Sequence, residues 1–269
     1  MLNQETENHS VSDKKYLVPF ILITSLFFLW GFARAILDVL NKHFQNALHI
    51  SITQSAMIQV TTYLGYFLMA IPAGIFINKY GYRRGVVFGL LLFGLGAIFF
   101  IPGASIGSFS AFLFCLFVIG CGLVFLETAA NPYVTELGAR ETATSRLNLS
   151  QSFNGLGSIF ATFCIGQFLF NDTQQGGNVV IPYAILGVLV LSIAVVFSRV
   201  DLPEIQHQLT TEDKAKGSNI AKLFANHRMF VFGLFALLSY EVAEISINSY
   251  FINFVTGMHW MSDRTASLV

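Results

Sequence analysis

Charge is what this sequence has least of. Asp, Glu, Lys and Arg make up 11% of its 269 residues, against about 25% in soluble domains. A water-soluble fold of this composition could not cover its surface. The formal net charge is zero, so neither a nucleic-acid partner nor an acidic ligand is suggested. Cysteine is scarce too. Cys115, Cys121 and Cys164 all lie in apolar runs and show neither metal spacing nor a disulfide framework. The six histidines, at 9, 43, 49, 207, 227 and 259, fall in tails, loops or helix ends. No nucleophile–base pair or His-rich motif appears, so neither an enzyme nor a metal site is expected. Met1 to Lys15 is polar and lacks a signal-peptide apolar core, and reads as a cytoplasmic tail over 1–15.

What the chain does have is apolar length. A spanning helix needs about 20 mostly apolar residues. Seven such runs occur: Tyr16–Val39, Ile52–Ile77, Gly85–Ile101, Phe109–Thr135, Leu147–Phe170, Val179–Ser198 and Met229–Val255. The fold class is therefore all-α integral membrane. The stretch from Gly85 to Leu126 carries no charge, and Pro102 to Ser108 is expected to break it.

The basic residues set the orientation. Lys14 and Lys15, Lys79, Arg83 and Arg84, Arg140 and Arg146, and Arg199 to Arg228 fall on one side. That is 12 of the 15 Lys and Arg. The positive-inside rule puts that side, with the N-terminus, in the cytoplasm. This orientation is opposite to a seven-helix receptor's, and Met229–Val255 has no lysine for a retinal. The connection over 199–228 is long, polar and charged, as between two bundles. The expected organisation is a six-helix bundle over 16–198, a cytoplasmic loop over 199–228, and the start of a second bundle over 229–269. The chain then reads as one complete half and the beginning of another, which alone would not transport.

One residue is out of place in these runs. Glu127 interrupts the uncharged stretch Phe109–Tyr133. An ionisable group at membrane depth is costly and marks a pathway for ions or substrate. Burial disfavours the charged form of a carboxyl, so such a group can take up a proton and release it again.

Several blocks point to one family. Gly74-Ile75-Phe76-Ile77-Asn78-Lys79-Tyr80-Gly81-Tyr82-Arg83-Arg84 resembles the signature loop of the major facilitator superfamily, with Asn78 in place of the usual Asp. Its glycines suit close backbone approach in a tight turn, and its basic residues suit the acidic leaflet. Phe27 to Phe32 followed by Asp38 is the next block. Leu126-Glu127-Thr128-Ala129-Ala130-Asn131-Pro132 and Arg146 to Asn154 complete the set. Together these resemble the fucose–proton symporter and glucose/galactose transporter branch. That resemblance implies a major facilitator fold, monomeric at full length. It implies sugar and proton as partners, the inner membrane as location, and no cofactor beyond the proton gradient.

The resemblance also assigns roles. The helix-1 acid and the helix-4 glutamate, Asp38 and Glu127, are implicated in proton coupling and sugar recognition. Arg34, four residues before Asp38, shares its face and could simply pair with it, holding it charged. Gln151 and Asn154 are spaced i, i+3, with Asn148 one turn earlier. Such amides suit a polyol but also glue helices together. Asn131, Tyr63 and Gln59 are further candidates for the sugar, with Tyr66 beside them. In the last run, Glu244 and Asn248 share a face, with Glu241 on its flank or merely solvated. Gly74, Asn78, Gly81, Arg83 and Arg84 form the conformational loop. Leu37 and Ala35 stand where relatives carry amides, and Arg34 has appeared as a further candidate for contact with the substrate. The expected function is proton-coupled uptake of a fucose- or hexose-like monosaccharide. An uncoupled facilitator, or a symporter for an acidic sugar derivative, is the alternative.

Overall fold

A computed structural model describes residues 14–106, 108–169, 180–200, 224 and 227–266. Among these the architecture is helical throughout. The long helices are α1 Lys14–Leu48, α2 Ile52–Tyr80, α3 Tyr82–Ile98, α5 Phe109–Glu136, α6 Ala143–Leu169, α7 Val180–Arg199 and α8 Arg228–Gly257. Two short helices, α4 Phe100–Ile106 and α9 Asp263–Ala266, complete the set. Residues 1–13 of the expected tail over 1–15, and most of the 199–228 connection, lie outside the described residues, while Lys14 and Lys15 already begin α1.

Among the described residues six spans are long and apolar enough to cross a bilayer: those of α1, α2, α5, α7 and α8, and Tyr82–Gly103, which runs from α3 into α4. The sequence suggests seven. The exception is α6, which is 27 residues long but carries Asn148, Gln151, Asn154 and several serines. These groups lower its hydropathy, and they also put polar side chains beside α1.

The break expected over Pro102–Ser108 lies at the end of that stretch, where α4 stops at Ile106 and α5 begins at Phe109 after an extended Ser108. Helix α3 ends at Ile98, and the chain continues helically to Ile106. Proline has no N–H, so Pro102 cannot bond back to the Ile98 carbonyl; near the start of α4 that loss is tolerated. The Gly103 N–H still reaches the Phe99 carbonyl at 3.0 Å.

Helices pack in close pairs, α1 on α6, α2 and α3 on α5, and α3 on α7. Small residues permit the approach, as in other membrane bundles. A Cβ on Gly157 of α6 would run into the Phe28 carbonyl of α1, and one on Gly120 of α5 into the Thr62 carbonyl of α2. Gly65, Gly89, Gly94, Gly96 and Gly122 are similarly enclosed. Gly155 and Gly74 are not, because each sits on a face with nothing within 4 Å. Close backbone approach therefore does not explain Gly74.

Gly81 alone turns α2 into α3. Its φ of 88° is left-handed, where glycine carries no Cβ penalty, and its N–H closes α2 on the Ile77 carbonyl at 2.8 Å. The adjoining Arg83 donates to the carbonyls of Phe197 and Ser198, at the C-terminal end of α7. Arg146 plays the same part for α5. Only 4% exposed, it donates to the carbonyls of Val134, Thr135 and Ala139 at 3.1, 2.8 and 2.8 Å. Cations at helix C-termini satisfy orphan carbonyls and oppose the helix dipole. These contacts put the α2–α3 turn beside the end of α7 and tie the α5–α6 connection together. Arg83 and Arg146, two of the basic residues counted in the sequence, thus serve helix ends.

Candidate functional site

Helix α1 runs on past the expected end at Val39 and lays a polar face along α8. Residues 34, 38, 41 or 42 and 45 or 46 recur at helical spacing on that face. Each finds a polar partner.

Arg34 reaches across to α8. Its Nη2 lies 3.4 Å from Glu241 Oε2 and 3.5 Å from Glu244 Oε1. It does not pair with Asp38 in this structure. Asp38 Oδ1 instead accepts from Gln59 Nε2 and from Ser249 Oγ, both at 3.1 Å. Gln59 Nε2 also donates to Ser249 Oγ at 2.8 Å. The reason for the different pairing is that α8 supplies two carboxylates to Arg34, while α2 and α8 supply neutral donors to Asp38.

The polar seam continues along α1. Asn41 Nδ2 donates to the Ser249 carbonyl at 2.8 Å, and Gln45 bridges Asn41 and Ser55. Beyond it, Asn46 Nδ2 donates to Asp263 Oδ2 at 2.8 Å, and Lys42 Nζ lies 3.8 Å from the same carboxylate.

Two cavities open beside this seam, with Arg34 in the wall of both. The smaller, about 220 Å³, is lined by Trp30, Tyr63, Tyr66, Thr62, Glu127 and Glu241 among others. The larger, about 380 Å³, holds Asp38, Asn154, Ser158, Glu244 and Asn248. One candidate carboxylate thus stands on each side of Arg34. Glu127 is half-buried and, among the described residues, makes no hydrogen bond or ion pair. Asn154 presents a buried Nδ2 with no hydrogen-bond partner among the described residues. A buried donor left unmade is costly, and a ligand oxygen would satisfy it.

The remaining candidates divide. Glu244 and Asn248 line the larger cavity and Tyr63 the smaller. Gln59 is buried behind the cavities as a support for Asp38. Gln151 is exposed and donates to Asn131 at 3.3 Å; Asn131 joins Glu127 and Trp30 in a small apolar crevice. Gln151 and Asn154 therefore do not work on one cavity, although they are three residues apart. Gly74, Asn78, Gly81, Arg83 and Arg84 line neither cavity.

Sequence reasoning missed Ser249, Trp30 and Thr62. Ser249 follows Asn248 and carried no signal beyond its place in a polar stretch of α8. Trp30 donates from Nε1 to Tyr66 Oη at 3.0 Å, fixing the aromatic wall opposite Glu127. Among the described residues no group of three His, Cys, Asp or Glu could hold a metal.

The comparisons with known proteins agree in direction. The profile of the Major Facilitator Superfamily matches residues 23–268. A glucose/galactose transporter of Brucella abortus biovar 1 (strain 9-941) is 34% identical over 94% of this chain. The L-fucose-proton symporter of Escherichia coli (strain K12) is 35% identical over 93% of it. The chain spans 62% and 64% of these relatives' lengths. A crystal structure of the E. coli fucose:proton symporter superposes with a TM-score of 0.68, at 33% identity, over 90% of this chain and 63% of that one.

Proposed function

The chain belongs to the major facilitator superfamily, and on that premise we propose that it serves in proton-coupled uptake of a monosaccharide. The substrate would be fucose- or hexose-like, and the path would cross the bacterial inner membrane with the N-terminus in the cytoplasm. The observation that carries this reading is the arrangement of two polar cavities around Arg34, one holding Glu127 and the other Asp38. Similarity to the fucose symporter and to the glucose/galactose transporter supports the substrate class.

The geometry supports a division of labour. Asn154 and Asn248 offer amide donors and acceptors to sugar hydroxyls. Glu127, which makes no hydrogen bond or ion pair among the described residues, can exchange a proton with the smaller cavity. Asp38, tied to Gln59 and Ser249, links a second proton-accepting group to the seam between α1 and α8. Protonating and emptying such groups changes the relative stability of two bundle arrangements, so the two fluxes become linked.

A neutral sugar fits better than an acidic one. Arg34 is already matched by Glu241 and Glu244, and Glu127 and Asp38 add further negative groups around the same cavities. A carboxylate on the substrate would meet like charge.

The test is sugar-induced alkalinisation by the full gene product in membrane vesicles. Fucose or a neutral hexose should raise external pH, and Glu127→Gln should abolish the signal while leaving sugar exchange intact. Alkalinisation that persists in both Glu127→Gln and Asp38→Asn would defeat the coupling assignment. Uptake confined to uronic or sialic acids would defeat the substrate class.

A further inference from the structure

A third opening, on the basic side of the bundle, belongs to neither cavity. It measures about 410 Å³ and lies between Phe76 of α2, the first turns of α3, and Ser198 at the end of α7. Arg83 and Arg84 stand at its mouth, and Val87, Phe88 and Leu91 line its depth. Residues 84, 88 and 91 fall on one face of α3. At 1.5 Å per residue, Leu91 lies roughly 10 Å deeper than Arg84 along that face.

The two arginines differ. Arg83 is committed to the carbonyls of Phe197 and Ser198. Arg84 is exposed and, among the described residues, has no hydrogen bond or ion pair. The apolar wall is held in place. Phe76 stacks on Phe88 with centroids 5.2 Å apart, and Phe88 meets Phe125 edge-on at 5.0 Å. Phe88 and Leu91 remain 38% and 41% exposed, so the wall opens sideways.

We propose that this groove binds an anionic phospholipid. The phosphate sits on Arg84 and an acyl chain lies over Val87, Phe88 and Leu91. The inference is drawn from an exposed cation, unpaired among the described residues, continuing into a fixed apolar trough. Basic pockets between spanning helices on the cytoplasmic side bind anionic headgroups, and the acyl chain buries the trough. This site is independent of whether the protein transports a sugar.

The test is native mass spectrometry of the purified chain released from nanodiscs of mixed phosphatidylglycerol and phosphatidylcholine. Selective retention of phosphatidylglycerol is expected. Arg84→Gln should lower that retention about fivefold, the worth of one surface cation. Leu91→Asn should lower it as well, with the charge intact. Arg228→Gln removes an exposed cation outside the groove and should leave retention unchanged. Equal retention of both lipids, equal loss in Arg228→Gln and Arg84→Gln, or complete displacement by inorganic phosphate would each overturn the site. Circular dichroism on each variant separates loss of the lipid from loss of the fold.

Discussion

Ser249 donates to Asp38 Oδ1 at 3.1 Å, and this bond ties α8 to a carboxylate of α1. The ionised carboxylate only accepts hydrogen bonds; the protonated form adds a donor and gives up acceptor capacity. The seam beside Asp38 therefore changes with the proton it carries. Removing the hydroxyl should loosen the seam without altering the bundle behind it. In Ser249→Ala, α8 amides near residue 249 should exchange hydrogen roughly fivefold faster, matching a net hydrogen bond of about 1 kcal/mol. Hydrogen-exchange mass spectrometry in nanodiscs reads this directly. Unchanged exchange in α8, or equal acceleration in α5, would remove Ser249 from the seam.

Arg34 balances two carboxylates one helical turn apart on α8. Without it, Glu241 and Glu244 face each other at like charge. All three side chains are about a third exposed, so the loss should be modest, up to about 1 kcal/mol. The diagnostic result is rescue. Arg34→Gln should lower the unfolding midpoint in detergent, and Arg34→Gln with Glu241→Gln should recover part of it. If the double variant is as unstable as the two single losses summed, Arg34 and Glu241 are not coupled.

Much of this site was legible in the sequence, for physical reasons that differ by residue. Glu127 announced itself because no other charge interrupts Phe109–Tyr133. Asp38 and Arg34 were visible as a pair on one helix face. Their partners were not, because i, i+4 spacing predicts neighbours along a helix and says nothing of a helix arriving from 200 residues away. Hence the local pairing of Arg34 with Asp38 was plausible and did not form. Ser249 and Trp30 were unreadable for the same reason: their importance lies in what they touch. The helix boundaries were clear where loops are polar, and blurred at α1. There Asn41, Lys42, Gln45 and Asn46 look like a loop in sequence and are helix held by α8, α9 and Ser55.

In the sequence Arg146 is one more basic residue on the expected cytoplasmic side, and in the structure it has a structural task. Its guanidinium serves the Val134 and Thr135 carbonyls at the end of α5, the Ala139 carbonyl beyond it and the Thr142 hydroxyl. A lysine cannot reproduce that fork. Hydrogen bonds to a charged group contribute about 1.5–3 kcal/mol each, and buried acceptors left unmade add to the loss. Both Arg146→Ala and Arg146→Lys should therefore lower thermal stability in detergent. A midpoint for Arg146→Lys within error of the parent would show that charge alone suffices there.

The glycines of α6 provide a paired test of packing. Gly157 and Gly155 are two residues apart on one helix and both resemble close-packing positions. Only Gly157 is closed: an added Cβ would strike the Phe28 carbonyl and come within 3.0 Å of the Phe32 nitrogen. Both neighbours are backbone atoms of α1, so neither can swing aside as a side-chain tip could. Gly157→Ala should force α1 and α6 apart and cost about 1–3 kcal/mol, the range for overpacked interiors. Gly155→Ala meets nothing within 4 Å and should stay within about 0.5 kcal/mol of the parent. Unfolding in increasing dodecyl sulfate compares the two. Equal effects at both positions would mean that α6 does not pack on α1 through the Gly157 face.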